Sequence, residues 1–171
     1  IADMTTLYLV RHGETVENAA HILQGHMPGH LTPLGIQQAE ALRDELNAIK
    51  FNTLVCSDLK RCIDTAHILN TERQLPMQTT TLLRERDWGS FTGKHIPDIQ
   101  NIPFPEDIES IDALYQRAAS FLEFIRTHFP EQSVLAVGHG LINRAIQAVH
   151  YKKDMHEIER MGNATYRILK L

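Results

Sequence analysis

Two short apolar segments of the sequence each lead directly into a histidine that is followed by glycine. Residues 7–10 run into Arg11 and His12, and residues 134–137 run through a glycine into His139. Continuous apolar runs of this length are typical of strands buried on both faces of a parallel sheet. Ligands of open α/β sheets bind beyond the carboxyl ends of the strands. We therefore expect both histidines at one edge of a sheet, where the glycines allow a ligand to approach the backbone closely.

The rest of the chain alternates between strand-like and helix-like segments. Apolar spacing predicts a helix over residues 33–48 after Thr32, and further helices after Ser57 or Asp58, after Ser110 and after residue 140. Strands are predicted at 53–56, 77–83, 133–137 and 164–171, with loops at 13–31 and 84–109. This alternation favours an α/β fold, namely a three-layer α/β/α sandwich with a mostly parallel central sheet. We expect a single domain over residues 1–171.

The composition of the chain argues against some classes of binding partner. The net charge of −4 argues against a nucleic acid or an anionic membrane as partner. The longest apolar runs are shorter than a membrane span, and no signal peptide is visible, so we expect a cytoplasmic protein. Cys56 and Cys62 are too few for a disulfide framework or a zinc site, and we interpret them as buried, reduced thiols.

Three predicted strand-to-helix junctions carry basic side chains. Arg11 and His12 follow the first strand, Arg61 follows the second, and His139 follows the strand at 133–137. Because such junctions share one edge of a doubly wound sheet, these side chains can converge. Guanidinium groups suit phosphate oxygens, and the helix that starts near Gly140 can add backbone N–H groups to the same anion. The pattern predicts a pocket for a phosphoryl group.

An imidazole among arginines can also act as a nucleophile. Nearby positive charge disfavours the imidazolium form, so we expect a neutral His12 that accepts the phosphoryl group. The arginines and His139 would stabilise the transferring group without a metal ion. The leaving oxygen needs a proton donor, for which Glu85, Asp87 and Glu14 are candidates.

Several of these residues also have structural interpretations. Arg61 can form an ion pair with Asp58 or Asp64 on its own helix instead of binding a ligand. Arg84 and Arg86 either receive an anionic substrate or are simply exposed. Three loop histidines lack the spacing of metal ligands, so we interpret them as solvated, with the second of them a candidate for the pocket rim: His21, His26 and His30.

The motifs together resemble those of a known family. They are LVRHGET at 9–15, QGH at 24–26, LTPLG at 31–35, CSDLKRC at 56–62, LRERDWG at 83–89 and VGHG at 137–140. Their order and spacing over nearly the whole chain resemble the histidine phosphatase superfamily, the phosphoglycerate mutase-like branch 1, and within it a short bacterial-type phosphatase. The chain departs from common family residues at three positions outside the implied catalytic set, which leaves the substrate open: Asp58, Thr92 and Ile108.

The resemblance implies roles for particular residues. His12 is implied as the phosphorylated nucleophile, and Glu85 as the proton donor that later activates water. The implied phosphate pocket is formed by Arg11, Arg61 and His139, with contacts to the phosphoryl group from Asn18 and from the loop that contains Gln24 and Gly25. No metal or organic cofactor is implied.

These expectations favour a metal-independent phosphatase that acts on a small phosphorylated metabolite, as a monomer or a homodimer. A phosphoglycerate mutase or bisphosphatase is an alternative, although the stretch between Glu85 and His139 is short for a cap that keeps water from an intermediate. The resemblance makes α-ribazole phosphatase a specific candidate. A non-catalytic phosphate-binding scaffold is the alternative of a different class, and such a protein has no need of Glu85.

Overall fold

The computed structural model describes residues 4–171 and contains one five-stranded sheet. In spatial order its strands are β3 (Met77–Thr80), β2 (Thr53–Ser57), β4 (Ser133–Gly138), β1 (Thr6–Arg11) and β5 (Tyr166–Lys170). β5 runs antiparallel to β1, and the other neighbours are parallel. The predicted mostly parallel sheet is confirmed. The prediction of a single domain over residues 1–171 remains a prediction, since residues 1–3 lie outside the described residues.

Helices cover both faces of the sheet. Residues 4–171 contain the α-helices α1 (Val16–Ala19), α2 (Pro33–Glu45), α3 (Lys60–Leu69), α4 (Ile96–Ile99), α5 (Ile111–His128) and α6 (Gly140–Tyr151). Apolar residues of α5 and α6 belong to one buried cluster, and those of α2 and α3 belong to a second. The predicted three layers are therefore confirmed. Within residues 4–171, no helix is long and apolar enough to cross a membrane.

The central strands feed both apolar clusters by the alternation of their side chains. In β1, Leu7 and Leu9 pack with the α5 and α6 cluster, whereas Val10 packs with the α2 and α3 cluster. All three are fully buried. Burial of an aliphatic side chain contributes about 1.5–3 kcal/mol. A continuous apolar run is thus what a strand between two helix layers requires, and it holds β1 rigidly behind Arg11 and His12.

Strand register brings the predicted site residues to one edge. Arg11 at the end of β1 pairs with Gly138 at the end of β4, and Val137 pairs with Cys56 of β2. His12 and His139 therefore emerge from adjacent strands. The third junction, which leads into α3, lies on the other side of β4.

Several predicted boundaries differ from the structure because local capping decides them. The predicted loop at 13–31 contains α1, since the Thr15 hydroxyl accepts a hydrogen bond from the Asn18 amide in a reciprocal capping box. The prediction that Ser57 or Asp58 caps α3 is wrong. Leu59 precedes α3, and the Ser57 hydroxyl instead accepts a hydrogen bond from the Leu59 amide.

Other differences occur where a regular element is shorter than its apolar pattern. The helix predicted to reach residue 48 ends at Glu45. The predicted third strand ends at Thr80, where the Thr80 hydroxyl starts one turn of 3₁₀ helix over Thr81–Leu83. The predicted loop at 84–109 contains a 3₁₀ turn over Gly89–Phe91 and the short helix α4. Loop conformation depends on tertiary contacts, which apolar spacing does not record.

Two glycines let the loop after His12 lie directly against the start of α2. A Cβ added at Gly13 would lie 2.4 Å from the Gly35 carbonyl oxygen, and one added at Gly35 would lie 2.1 Å from the Glu14 carbonyl oxygen. The Thr32 amide also donates a hydrogen bond to the Glu14 carbonyl at 3.0 Å. Because these neighbours are backbone atoms, neither can move aside without displacing the loop that holds His12.

We expect Gly35→Ala to lower the free energy of unfolding by about 1–3 kcal/mol, because the added methyl group overlaps the Glu14 backbone. Urea denaturation measures this loss. Gly162→Ala is the control, since a Cβ there would lie 3.7 Å from the nearest atom, in Thr165. An equal loss in the two variants would contradict the close approach.

Candidate active site

A cleft of about 500 Å³ opens at the carboxyl ends of β1, β4 and β2. Seven of the eight predicted site residues line it: Arg11, His12, Asn18, Gln24, Gly25, Arg61 and Glu85. The eighth, His139, is fully buried directly beneath, with its ring centroid 5.2 Å from that of His12. The structure therefore brings all the predicted residues together.

The His12 ring is held in one orientation by the backbone that follows it. Its Nδ1 donates a hydrogen bond to the Gly13 carbonyl oxygen at 2.7 Å. A carbonyl oxygen only accepts, so the proton of the neutral ring is on Nδ1 and the lone pair is on Nε2. The side chain is 2% exposed, and burial, together with Arg61 and Arg11, lowers its pKa from 6.5 to about 3. The ring is neutral at physiological pH and available as a nucleophile.

His139 is held by neighbours from β2 and α3. Its Nε2 forms a 2.9 Å hydrogen bond with the Ser57 hydroxyl and lies 3.3 Å from the Cys62 thiol. Burial, with Arg61 and His12 as further causes, lowers its pKa well below the ordinary value. Sequence reasoning missed Ser57, which it treated only as a helix cap. Only the spatial neighbourhood of β2 and β4 shows this contact.

Arg11 and Arg61 are each fixed by one edge of the guanidinium group. Arg11 donates from Nη1 to the Met161 carbonyl at 2.8 Å, and Arg61 donates from Nη2 to the Gly25 carbonyl at 2.9 Å. The Nε of each is buried and has no partner among the described residues. Both side chains line the cleft beside His12, and guanidinium groups bind the oxygens of anions well. The arrangement is therefore suited to an anion.

The alternative in which Arg61 forms an ion pair on its own helix is wrong. Asp64 pairs with Lys60, while Asp58 forms a two-point ion pair with Arg84. Arg61 is 1% exposed and turns its guanidinium inward to the loop that contains Gly25. Arg84 is therefore engaged in structure and does not line the cleft.

Glu85 is the one candidate proton donor that lines the cleft. Its carboxylate accepts hydrogen bonds from the amides of Leu141 (3.1 Å) and Ile142 (3.0 Å) at the start of α6, and from its neighbour Arg86 (2.9 Å). The amides of Leu141 and Ile142 therefore hold this carboxyl group. The prediction that N–H groups at the start of α6 bind the phosphoryl group stays a prediction, and Gly140 lines the cleft.

The other two candidate donors are engaged elsewhere. Glu14 accepts a hydrogen bond from the Thr32 hydroxyl at 3.0 Å, at the start of α2. The Asp87 carboxylate accepts one from the Gly89 amide at 2.9 Å. Neither lines the cleft, so geometry selects Glu85 from the three.

The remaining predicted binding residues form one wall of the cleft. The Asn18 side-chain oxygen accepts hydrogen bonds from the Thr15 amide (3.1 Å) and from Asn163 (3.4 Å). The Gln24 side-chain oxygen accepts a hydrogen bond from the Thr15 hydroxyl at 3.1 Å. Gly25 has a φ of +50°, a backbone conformation that favours glycine, and its carbonyl holds Arg61. These contacts connect the wall to the capping box of α1 and, through Gly25, to Arg61.

Both apolar and basic side chains line the mouth of the cleft. The Arg86 guanidinium lies 4.6 Å from the centroid of the Trp88 ring, and its Nε donates to the Glu109 carbonyl. Arg144 of α6 and Arg160 also line the cleft, and sequence reasoning did not single them out. Arg144 follows His139 by little more than one helical turn, which was the one available signal.

The loop histidines do not form a cluster. His26 donates from Nε2 to the Glu85 carbonyl at 2.9 Å, and His30 pairs with Glu17. His26 lines a separate hollow behind Glu85 rather than the predicted rim of the cleft. Among residues 4–171, no group of three or more His, Cys, Asp or Glu side chains could hold a metal ion.

The sequence of the chain matches a known protein family. The model of the histidine phosphatase superfamily, branch 1, matches residues 7–171, so the chain belongs to this superfamily. The adenosylcobalamin/α-ribazole phosphatase of Escherichia coli is 31% identical over 147 residues, which cover 78% of this chain and 72% of that protein. The phosphatase PhoE of Bacillus subtilis is 31% identical over 147 residues, which cover 84% of this chain and 76% of that protein.

Solved structures support the same assignment. A putative α-ribazole-5′-phosphate phosphatase from Escherichia coli superposes with a TM-score of 0.88 at 26% identity, covering 97% of this chain and 90% of that one. The mycobacterial glucosyl-3-phosphoglycerate phosphatase superposes with a TM-score of 0.87 at 27% identity, covering 98% and 90%. The predicted family is confirmed, and these relatives are named as phosphatases, in agreement with the predicted chemistry.

The pKa of His12 predicts a pH dependence of stability. Between pH 6.5 and about 3 the unfolded chain binds a proton at His12 that the folded protein does not bind. The free energy of unfolding therefore falls as the pH is lowered through this range, by up to about 1.4 kcal/mol per pH unit. In urea titrations at pH 7 and pH 5, we expect the wild type to lose about 2 kcal/mol more than His12→Gln. Equal losses would contradict a buried neutral imidazole.

Proposed function

We propose that this protein hydrolyses a small phosphomonoester through a phosphohistidine intermediate, without a metal ion. The observation that carries the proposal is the convergence of the Arg11 and Arg61 guanidinium groups and the Glu85 carboxyl group around the neutral ring of His12 in one cleft. The guanidinium groups would hold the oxygens of a phosphoryl group bound there. The Nε2 lone pair of His12 would attack its phosphorus atom.

In the first step, His12 Nε2 attacks the phosphorus atom and the bond from phosphorus to the ester oxygen breaks. The leaving oxygen takes a proton from Glu85. Oxygen Oε1 of Glu85 already accepts two amide hydrogens, whereas Oε2 accepts only that of Leu141, so Oε2 is the oxygen with room for the proton. The products are the alcohol, a phosphorylated His12 and an ionised Glu85.

In the second step, a water molecule attacks the phosphorus atom of phosphohistidine and the bond from nitrogen to phosphorus breaks. Glu85 removes a proton from this water and is thereby restored as the acid. His12 recovers its lone pair, and inorganic phosphate leaves. One carboxyl group serves both steps because it lies at the same edge of the cleft as the leaving oxygen.

The fixed charges stabilise the transferring group. The phosphoryl oxygens carry the negative charge of the transition state, and positioned cations are the largest contribution to such catalysis. Burial lowers the pKa of Arg11 and of Arg61, but guanidinium groups remain protonated in proteins. His139 lies beneath His12, and its Nε2 shares a hydrogen bond with the Ser57 hydroxyl.

We place this activity in the cytoplasm, on a small phosphorylated metabolite, with no nucleic acid or membrane partner. The two cysteines are free and buried, as in proteins that are kept reduced. α-Ribazole 5′-phosphate is the specific candidate substrate, because relatives named for it resemble this chain in sequence and in fold. The protein would work as a monomer or a homodimer.

The intermediate predicts a trappable covalent species. We expect rapid quenching of the wild type during turnover of ³²P-labelled substrate to give an acid-labile label on His12. His12→Asn should lose the label and essentially all turnover while its circular dichroism spectrum is unchanged. The assay is run in the presence of a chelator, which should leave the rate unchanged.

The other functions predict different results in the same assay. A non-catalytic scaffold binds phosphate but shows no label and no turnover. A phosphoglycerate mutase or bisphosphatase shows a rate that depends on a bisphosphorylated primer. A stable rate without primer and a label on His12 are required by the proposal.

A substrate panel tests the candidate metabolite. We expect α-ribazole 5′-phosphate to have the highest kcat/KM in a panel with sugar phosphates, nucleotides and phosphoserine. The reason is that the cleft presents Trp88 and other apolar residues to the aromatic base that the leaving alcohol carries. A sugar phosphate with a higher value would remove this candidate and leave the phosphatase chemistry intact.

A further inference from the structure

A second polar cluster lies behind Glu85, on the side away from the cleft. It surrounds a hollow of about 330 Å³ lined by His26, Thr81, Arg84, Asp87, Glu109 and Arg117. The mechanism above uses none of these side chains. At its centre Arg117, from α5, meets Glu109, which lies just before that helix.

Arg117 and Glu109 form a two-point ion pair. Arg117 Nε donates to Glu109 Oε2 at 3.0 Å, and Nη2 donates to Oε1 at 2.8 Å. The two side chains are only 18% and 15% exposed. Burial acts to raise the pKa of Glu109, but its hydrogen bonds with Arg117 and the Asp87 amide, and attraction to Arg117, hold that pKa below the ordinary value. The pair therefore stays ionised, and removal of one partner would leave a largely buried charge.

The remaining donors of Arg117 all bind the backbone that carries Glu85. Residues 82–87 are here termed the acid loop. Arg117 Nη1 donates to the carbonyl oxygens of Leu82, at 3.0 Å, and of Arg84, while Nη2 donates to that of Glu85, at 3.3 Å. His26 donates to the same Glu85 carbonyl at 2.9 Å.

Glu109 binds the far end of the acid loop. Its carboxylate accepts a hydrogen bond from the Asp87 amide at 3.0 Å, and its own amide donates to the Asp87 carbonyl at 2.8 Å. Its carbonyl accepts a hydrogen bond from Arg86 Nε at 2.8 Å. The ion pair thus clamps both ends of a segment that has no helix or strand hydrogen bonds beyond Leu83.

The clamp fixes where the Glu85 carboxyl group lies. The backbone is held by Arg117 on one side, and the side chain reaches the amides of Leu141 and Ile142 on the other. A shift of the acid loop would move the carboxyl group away from the leaving oxygen. Small displacements of a reacting group lower the reaction rate by large factors.

We propose that Arg117, held in place by Glu109, is a positioning residue for proton transfer by Glu85. It acts through three backbone carbonyls of the acid loop and touches neither the substrate nor the phosphoryl group. Arginine is required because a guanidinium group supplies five donors in a planar fork, whereas a lysine ammonium cannot bind a carboxylate and three carbonyls at once. This inference rests on the proposed role of Glu85 as the acid.

The test compares kcat/KM for two substrates, because kcat/KM reports the steps up to phosphorylation of His12. An alkyl phosphate has a poor leaving group that needs a proton, whereas 4-nitrophenyl phosphate has a good leaving group that does not. As the reference, Glu85→Gln should lose about 10²- to 10⁴-fold on the alkyl phosphate and far less on 4-nitrophenyl phosphate. Arg117→Gln should show the same selectivity, with a loss of about 10²-fold on the alkyl phosphate.

Controls separate positioning from general damage. Glu109→Gln keeps the shape of the partner but removes its charge, and should show the same selectivity with a smaller loss. It also carries the test if Arg117→Gln does not fold. Arg126→Gln, an exposed arginine of the same helix, should match the wild type on both substrates.

The double variant decides the outcome. If Arg117 acts through Glu85, adding Arg117→Gln to Glu85→Gln should reduce kcat/KM on the alkyl phosphate by less than about threefold further. Equal losses on both substrates, or full multiplication of the two losses, would overturn the inference while the phosphohistidine label on His12 remained. If the wild type forms no such label, the proposed function itself fails.

Discussion

The site depends on the burial of two guanidinium groups beside a neutral imidazole. Arg11 and Arg61 donate hydrogen bonds to backbone carbonyls and line the cleft beside His12. Burial, together with these two charges, lowers the pKa of His12 to about 3, so the ring is neutral. Burial of two guanidinium groups costs free energy, which packing of the rest of the core has to offset.

The mostly parallel sheet positions these side chains. Helices pack on both faces, so Leu7, Leu9 and Val10 of β1 and residues 134–138 of β4 are buried. His12 and His139 leave neighbouring strands in register, and the glycine contact between the His12 loop and α2 fixes the turn. Packing of the core therefore also determines where the His12 ring lies.

The proposed acid and the proposed nucleophile are supported by different parts of the fold. His12 is oriented by its own backbone at a strand end, whereas Glu85 is on a loop that must be held from outside. The start of α6 binds its carboxyl group, and the pair of Arg117 and Glu109 binds its backbone. The residue that lies on a loop thus receives more polar contacts from outside its own segment than His12 does.

The sequence by itself determined the layers, the mostly parallel strands and the meeting of Arg11, His12, Arg61 and His139 at one sheet edge, because apolar runs and strand-end side chains follow from local patterns of burial. It also identified Glu85 through family resemblance. Only the tertiary structure decided what the α6 amides bind, which partner Arg61 has, and that Ser57 and Arg117 support the site. These contacts join residues far apart in the chain, and donors such as Arg117 choose partners by distance in the folded state. No local pattern of hydrophobicity records that choice.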